Sequence, residues 1–152
     1  MTRAWIWSVC LWIAMGAAVA GADAVAIRKV LPHYLDLQSR HALHPSLYER
    51  DAYQAHLRQN PAQCGGIRFD IQSKGRPDTR APIYWRIELR TDSAPNPRVF
   101  EKPALARTRS SRWSQVTIDG EDYRRLGKIM AWRVTLVSGD RVWAEQKSFL
   151  WQ

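Results

Sequence analysis

The run MAWRVTLV at positions 130–137, the connection SGD at 138–140 and the run RVWAEQKSFLW at 141–151 decide the fold of this chain. Both runs are rich in β-branched and aromatic residues, and the connection between them is short, polar and contains glycine. This pattern predicts a β-hairpin. We expect the hairpin to supply the central and closing strands of a small β domain, with which the earlier strands pair.

Apolar residues alternate regularly in the first run of the hairpin but not in the second. In the second run, polar residues occur on both faces of the strand, and Trp143 and Phe149 share one of these faces with Glu145 and Lys147. A bulge near Gln146 would switch the buried face and restore an apolar pattern. Without a bulge, Trp143, Phe149 and Trp151 form an exposed apolar stripe. Trp143 and Trp151 are therefore candidate binding residues.

Upstream of the hairpin, the clearest strand signals lie at 67–72 and 83–90, where apolar and polar residues alternate. Each strand therefore has one buried and one solvated face, as in an antiparallel sheet. Further strands are expected at 113–118 and, as a short piece within a proline-containing loop, at 99–100. We expect three tryptophans to lie in the core: Trp85, Trp113 and Trp132.

The first element after the amino-terminal segment is a strand at 27–37, which Pro32 restricts to a sheet edge because proline lacks a backbone donor. The spacing of apolar residues, with acidic residues early and Asn60-Pro61 as a stop, predicts a helix over 46–58. Five of its residues are expected to cover one end of the sheet: Leu47, Tyr48, Ala52, Ala55 and Leu57. A helical turn is expected at 121–126.

Several short alternating strands with turn signals between them indicate a mainly β fold. We predict an antiparallel β-sandwich of immunoglobulin/fibronectin-like architecture, with one short helix inserted after the first strand; a partly open barrel is the alternative. The framework of two cysteines and a tryptophan found in antibody domains is missing. With 152 residues, of which 45% are hydrophobic, the chain is long enough for one packed domain, which we place at 27–152.

The amino terminus has the composition of a secretory signal. Arg3 precedes an apolar run, and small residues at 18 and 20 suit a signal peptidase, although cleavage as late as 26 is also compatible with the sequence. We therefore expect residues 1–20 to be removed and the protein to be exported to the periplasm or the cell exterior. No transmembrane segment then remains, whereas an uncleaved signal would anchor the protein to the membrane.

Cleavage of the signal leaves Cys64 as the sole thiol, so the mature chain has no internal disulfide. Cys64 is a buried or incidental cysteine, a reactive thiol or a bridge to another chain. The pair His41-x-x-His44 has a spacing that would suit a metal, but no further ligand completes a known motif. No nucleophile elbow, phosphate loop or dinucleotide fingerprint occurs. We therefore expect neither enzymatic activity nor a cofactor or metal.

The net charge of +9 comes mostly from arginine, which supplies 18 of the 23 cationic side chains. The segment 98–112 concentrates this charge and contains the candidate binding residues Arg107, Arg109 and Arg112. Guanidinium groups bind phosphate, sulfate or carboxylate well, but a solvated basic loop that maintains solubility would look the same.

The sequence thus predicts an exported, non-catalytic binding or structural module of the cell envelope that contacts another protein. The alternative is a module that binds anionic glycan or lipid head groups through the basic 98–112 segment. A metal or thiol enzyme is the remote third hypothesis. Nucleic acid is not expected as a partner, because the protein is predicted to leave the cytoplasm. The sequence does not indicate an oligomeric state.

Overall fold

A computed structural model describes residues 25–104 and 111–151 of the chain. The predicted signal at 1–20 lies outside the described residues. The described elements, in chain order, are β1 (Ala26–Asp36), α1 (Leu47–Gln59), a 3-10 turn (Pro61–Gln63), β2 (Cys64–Lys74), β3 (Tyr84–Thr91), β4 (Ala94–Pro103), β5 (Arg112–Asp119), α2 (Gly120–Arg124), β6 (Ile129–Ser138) and β7 (Arg141–Lys147).

The strands form two antiparallel sheets, one of three strands in the order β1-β2-β5 and one of four in the order β4-β3-β6-β7. The two sheets face each other across a common core. This arrangement confirms the predicted immunoglobulin/fibronectin-like sandwich with a helix after the first strand, and the sheets do not close into a barrel.

The core lies between the inward faces of the two sheets. Alternate residues of β2 and β3, among them Phe69 and Ile87, are fully buried there because a strand presents every second side chain to the same face. Trp85 is buried, as predicted, and Trp132 is half-buried with its ring packed edge-on against Phe69. The core is completed by the following buried residues: Val30, Ile67, Ile71, Leu89, Val116, Ile118, Leu126, Val134 and Leu136.

The prediction that Trp113 belongs to the core is wrong. In β5, Val116 and Ile118 are buried in the core, so the odd-numbered residues of the strand face outward. The side chain of Trp113 is 48% exposed, on a residue that pairs with Gln72 across the sheet. Its aromatic character suggested the core, but the position of the residue in the alternation decides its face.

The closing hairpin is confirmed, with a connection tighter than its sequence suggests. Ser138 pairs with Arg141, so the loop consists of Gly139 and Asp140, and Gly139 has the positive φ of 56° that such a turn requires. The pairing continues to Val137 opposite Val142 and then skips one residue before Leu136 opposite Ala144.

The bulge of the second hairpin strand therefore lies at Trp143 and not near Gln146, so the predicted position is wrong. Because the extra residue shifts the alternation by one, the adjacent Trp143 and Ala144 both pack against the core, while Val142 is exposed. The bulge at Trp143 thus explains why apolar residues do not alternate regularly in the second run of the hairpin.

The edge strand β4 is longer than the sequence predicts. β4 extends over ten residues instead of the predicted 99–100 and pairs with β3. Its prolines are compatible with this length because β4 is an edge strand, whose outward amides need no partner. β1 lies at a sheet edge, as predicted, and continues through Pro32, which pairs with Phe69.

Helix α1 is confirmed, but of the five residues predicted to cover the sheet only Leu57 is buried. Leu47, Tyr48, Ala52 and Ala55 are exposed, whereas Leu57 and the polar Gln54 are buried. The side-chain oxygen of Gln54 accepts a hydrogen bond from the backbone N–H of Tyr34 at 2.7 Å, and its amide nitrogen donates to the Tyr34 carbonyl at 2.9 Å. The amide thus replaces a neighbouring strand at the outer edge of β1, and the helix docks through it.

Asp36 fixes the turn between β1 and α1. Its buried carboxylate accepts hydrogen bonds from the backbone N–H groups of Gln38 at 2.9 Å and Arg40 at 2.8 Å, from the Arg40 guanidinium at 2.8 Å and from the Tyr53 hydroxyl at 2.7 Å. Burial alone would raise the pKa of Asp36, but these hydrogen bonds outweigh it and hold the pKa below its ordinary value.

We expect Asp36→Asn to lower the free energy of unfolding at neutral pH by about 2 kcal/mol, because an amide cannot replace a carboxylate that accepts four hydrogen bonds. Because the pKa of Asp36 is lowered in the folded state, the stabilisation by its carboxylate is complete above the unfolded-state pKa. This stabilisation is lost as pH falls through the folded-state pKa. Urea unfolding between about pH 3 and about pH 7 should therefore show a weaker acid destabilisation in the variant than in the wild type. Asp51→Asn, at an exposed carboxylate, is the control. It should change neither the free energy of unfolding at neutral pH nor its dependence on pH. Equal pH dependence of Asp36→Asn and wild type would contradict this role.

Candidate functional site

A pocket with a volume of about 640 Å³ lies at the end of the sandwich where β1 ends and β2 begins. The end of α1 and the connection from α2 to β6 complete its walls. The apolar part of the lining consists of Leu37, Leu57, Pro61, Ala62 and Ile129. The polar part consists of Tyr34, Arg58, Cys64, Tyr123, Arg124 and Lys128.

Cys64 lies in the wall of this pocket and is almost completely buried. Its thiol donates to the backbone carbonyl of Leu57 at 3.3 Å. Burial raises the pKa of the thiol, which keeps it in the neutral form that reacts poorly as a nucleophile. His56, the nearest candidate base in the sequence, is instead hydrogen-bonded to Gln63 at 2.9 Å. The described geometry therefore offers no activated thiol.

The two pocket tyrosines are also held in their neutral form. Burial is the main cause that raises the pKa of Tyr34 and of Tyr123, and the neighbouring Cys64 adds to both effects. The guanidinium of Arg58, which also lines the pocket, acts in the opposite direction on the pKa of Tyr34. The tyrosines thus remain hydrogen-bond donors at physiological pH.

The charged part of the lining is entirely cationic. Arg124 is paired with Glu121 at 2.9 Å, outside the pocket lining. Arg58 and Lys128 make no ion pair with any other described residue, and their side chains are exposed. The pocket therefore combines an apolar floor, neutral donors and a rim of positive charge.

The sequence-predicted residues lie elsewhere and are not brought together. Arg107 and Arg109 lie outside the described residues. Arg112 is exposed at the start of β5, beside the exposed Trp113. This end of β5 is opposite the pocket, since Asp119, the last residue of the strand, pairs with Gly66 close to Cys64.

The two candidate tryptophans of the hairpin lie against arginine side chains. Trp143 is half-buried, with the Arg141 guanidinium 3.8 Å from its ring centroid. Trp151 is only 6% exposed, and the guanidinium carbons of Arg90 and Arg133 lie 4.8 and 5.0 Å from its ring. Cation–π contacts thus fold the end of the chain back over the four-stranded sheet.

The two histidines of the sequence pair have different surroundings in the structure. His44 is exposed, whereas the ring of His41 packs 5.4 Å from that of His33, between centroids. Burial lowers the pKa of both His33 and His41. Within residues 25–104 and 111–151, no group of three or more histidine, cysteine or acidic side chains is placed to hold a metal.

The pocket corresponds to no motif in the sequence, since Tyr34, Cys64 and Tyr123 come from three different elements. In the structure, a side chain at Gly65 would lie 2.8 Å from the backbone oxygen of Asp36. This close approach brings the end of β1 against the start of β2, and the pocket opens beside it.

We expect Trp151→Ala to lower the free energy of unfolding by about 3 kcal/mol, because it removes a buried ring and both cation–π contacts. Phe149→Ala is the matched control: it removes an aromatic ring two positions away that is 95% exposed, and it should leave stability unchanged. Thermal and urea unfolding of the two variants test the difference. Equal stability of both variants would show that the Trp151 ring has no structural role.

Comparison with known proteins gives this site no precedent. No protein family, curated protein or solved structure matches the chain. Among the described residues, no helix has both the length and the apolar character needed to cross a membrane. The function therefore has to be argued from the residues and their geometry.

Proposed function

We propose that the protein is an exported, non-catalytic β-sandwich module that contacts another protein of the cell envelope. The contact we infer is the addition of a partner strand to β5. The observation that carries this proposal is that β5 ends the three-stranded sheet and pairs on one side only, with β2, among the described strands. Export rests on the signal-like residues 1–20.

The other three sheet edges carry features that oppose strand addition. At β1, the Gln54 side chain already occupies the backbone N–H and carbonyl of Tyr34. The edge strand β4 contains Pro95, Pro97 and Pro103, which lack backbone donors. β7 carries the bulge at Trp143 and lies against β1.

β5 has none of these protective features. Its eight residues contain no proline, and its pairing with β2 shows no irregularity from Arg112 to Asp119. An edge of this kind presents unpaired backbone groups that an extended peptide can hydrogen-bond. The exposed Trp113 on the outer face adds an aromatic anchor of the kind enriched at protein interfaces.

The non-catalytic part of the proposal is supported by the state of the chemically reactive groups. The pKa of the Cys64 thiol is raised by burial, and His56 bonds to Gln63 instead of a nucleophile. Binding, in contrast, needs only the exposed backbone and side chains of β5.

Proline substitution in β5 tests the strand-addition contact. Along an edge strand, backbone N–H groups point alternately toward the neighbouring strand and away from it. One of the two substitutions Ser114→Pro and Gln115→Pro therefore removes a hydrogen bond to β2, whereas the other removes only a donor that points away from the sheet. We expect the variant that keeps the thermal stability of the wild type to lose capture of its partner from a cell-envelope extract by at least about tenfold. Alanine at the same position retains the amide and is the control, with unchanged capture. Full capture by the stable proline variant, or no retained partner with the wild type, would contradict the proposal.

A second candidate function is the binding of anionic glycan or lipid head groups by the basic 98–112 segment. The specific observation in its favour is that Arg98, Lys102 and Arg112 are exposed and that Trp113, in the same part of the chain, is exposed as well. An acidic sugar is bound through charge pairing and through stacking on an aromatic ring, and these residue types supply both.

For this candidate we expect salt-sensitive retention of the protein on a polygalacturonate resin. Replacing Arg107, Arg109 and Arg112 together by alanine should shift elution to clearly lower salt. Replacing Arg58, Arg124 and Arg125 by alanine removes the same amount of charge, but from the end of the molecule near the carboxyl end of β5. This variant should shift elution less than the first triple variant does. Equal elution of the two triple variants would show that net charge alone governs retention and would exclude the site.

A further inference from the structure

We propose that the pocket between the end of β1, the end of α1 and the start of β6 binds a small apolar anion: a ligand with one anionic head group and an apolar body about the size of a medium-chain fatty acid. This site lies at the opposite end of β5 from Arg112 and is independent of the strand-addition contact.

The size and lining of the pocket suit a small organic molecule. Its volume of about 640 Å³ lies within the usual range of ligand sites. Leu57 is fully buried in its wall, whereas Leu37 and the half-buried Ile129 still present apolar surface to solvent. An apolar ligand body would cover this surface and remove it from water.

The charge of the rim determines the sign of the ligand's head group. Arg58 and Lys128 are the two lining cations without an ion pair among the described residues, and no acidic side chain lines the pocket. The nearby carboxylates have other partners: Glu121 pairs with Arg124 and Arg125, and Asp36 pairs with Arg40.

Asp92 is a further carboxylate close to the rim, and it is also engaged. It accepts a hydrogen bond from the backbone N–H of Lys128 at 2.9 Å. This contact fixes the backbone of Lys128. An anionic head group would therefore find two free cations at the rim, Arg58 and Lys128.

Neutral donors complement these cations. Tyr34 and Tyr123 keep their protons at physiological pH, so their hydroxyls repel no anion. Arg58 and Tyr34 both line the pocket, so it contains a cation and a phenol donor. A carboxylate, sulfonate or phosphate oxygen accepts from both kinds of donor, whereas a neutral alcohol loses the charge-assisted bond.

The pocket walls are held by the backbone. Gly127 has a φ of 72°, and a side chain there would lie 2.8 Å from the carboxylate of Asp92. A side chain at Gly65 would lie 2.8 Å from the backbone oxygen of Asp36. Only glycine allows these approaches, so the chain turns sharply before Lys128 and brings it to the rim. The pocket is thus formed before a ligand arrives, which lowers the entropic cost of binding.

The test uses two probes of matched shape, the anionic 1-anilinonaphthalene-8-sulfonate and its neutral analogue N-phenyl-1-naphthylamine, in fluorescence titrations of the full-length protein. Decanoate should displace the anionic probe, and decanol, which has the same chain length but no charge, should displace it at least about tenfold less effectively. A second displacement series in high salt measures the electrostatic contribution.

Two double variants localise the binding. Arg58→Gln with Lys128→Gln should weaken decanoate binding at least about tenfold and leave the neutral probe unchanged. Arg28→Gln with Lys29→Gln removes the same charge from the exposed far end of β1 and should have little effect. Ala62→Trp, at an exposed lining position, should fill the pocket and weaken both probes.

The proposal is overturned by any of three results: equal displacement by decanoate and decanol, equal losses in the two double variants, or unchanged probe binding in Ala62→Trp. Because none of these substitutions lies in β5, partner capture should remain intact in all of them. The experiments can therefore reject the proposal for the pocket and the proposal for strand addition independently of each other.

Discussion

The contact between Gln54 and the backbone of Tyr34 determines how this sandwich is completed. An edge strand such as β1 leaves backbone donors and acceptors without partners, and a buried group of that kind costs free energy unless it is satisfied. One side-chain amide supplies both partners to Tyr34, and a third hydrogen bond reaches the carbonyl of His41 at 2.8 Å. This closes the edge of β1, orders the turn that follows it and holds α1 against the sheet. It also brings Leu57, three residues later, into the wall of the pocket.

The same contact explains why the strands could be predicted and the buried face of the helix could not. Each strand buries a face that alternates with period two, so the residues of β2 and β3 indicate their own orientation. Helix α1 docks through a polar residue, because its partner is an open strand edge and not an apolar sheet face. A prediction from hydrophobic spacing therefore selects Leu47 and Tyr48, which are exposed, and overlooks Gln54. The prediction for Trp113 is wrong for a related reason: its position in the alternation of β5, and not its aromatic side chain, determines which face it occupies.

The candidate pocket could not be predicted because its chemistry depends on distant parts of the chain. Tyr34, Cys64 and Tyr123 become neighbours only when β1 pairs with β2 and α2 follows β5 at the same end of the sandwich. Each residue alone has an ordinary structural interpretation. The bulge at Trp143 is a similar case: the sequence indicated an irregularity in the last strand, but its position depends on the register against β6.

The two proposed sites therefore have different chemistry at the two ends of the molecule. At the pocket end, charged groups surround an apolar floor, and the reactive side chains are kept neutral by burial. At the other end, β5 begins with an exposed arginine and tryptophan and offers its backbone along an open edge. Asp119 and Gly66 connect the two, because the last residue of β5 pairs with the first part of β2, next to Cys64. A strand added to β5 would thus extend from Trp113 toward the pocket, on a sheet whose opposite edge is already closed by Gln54.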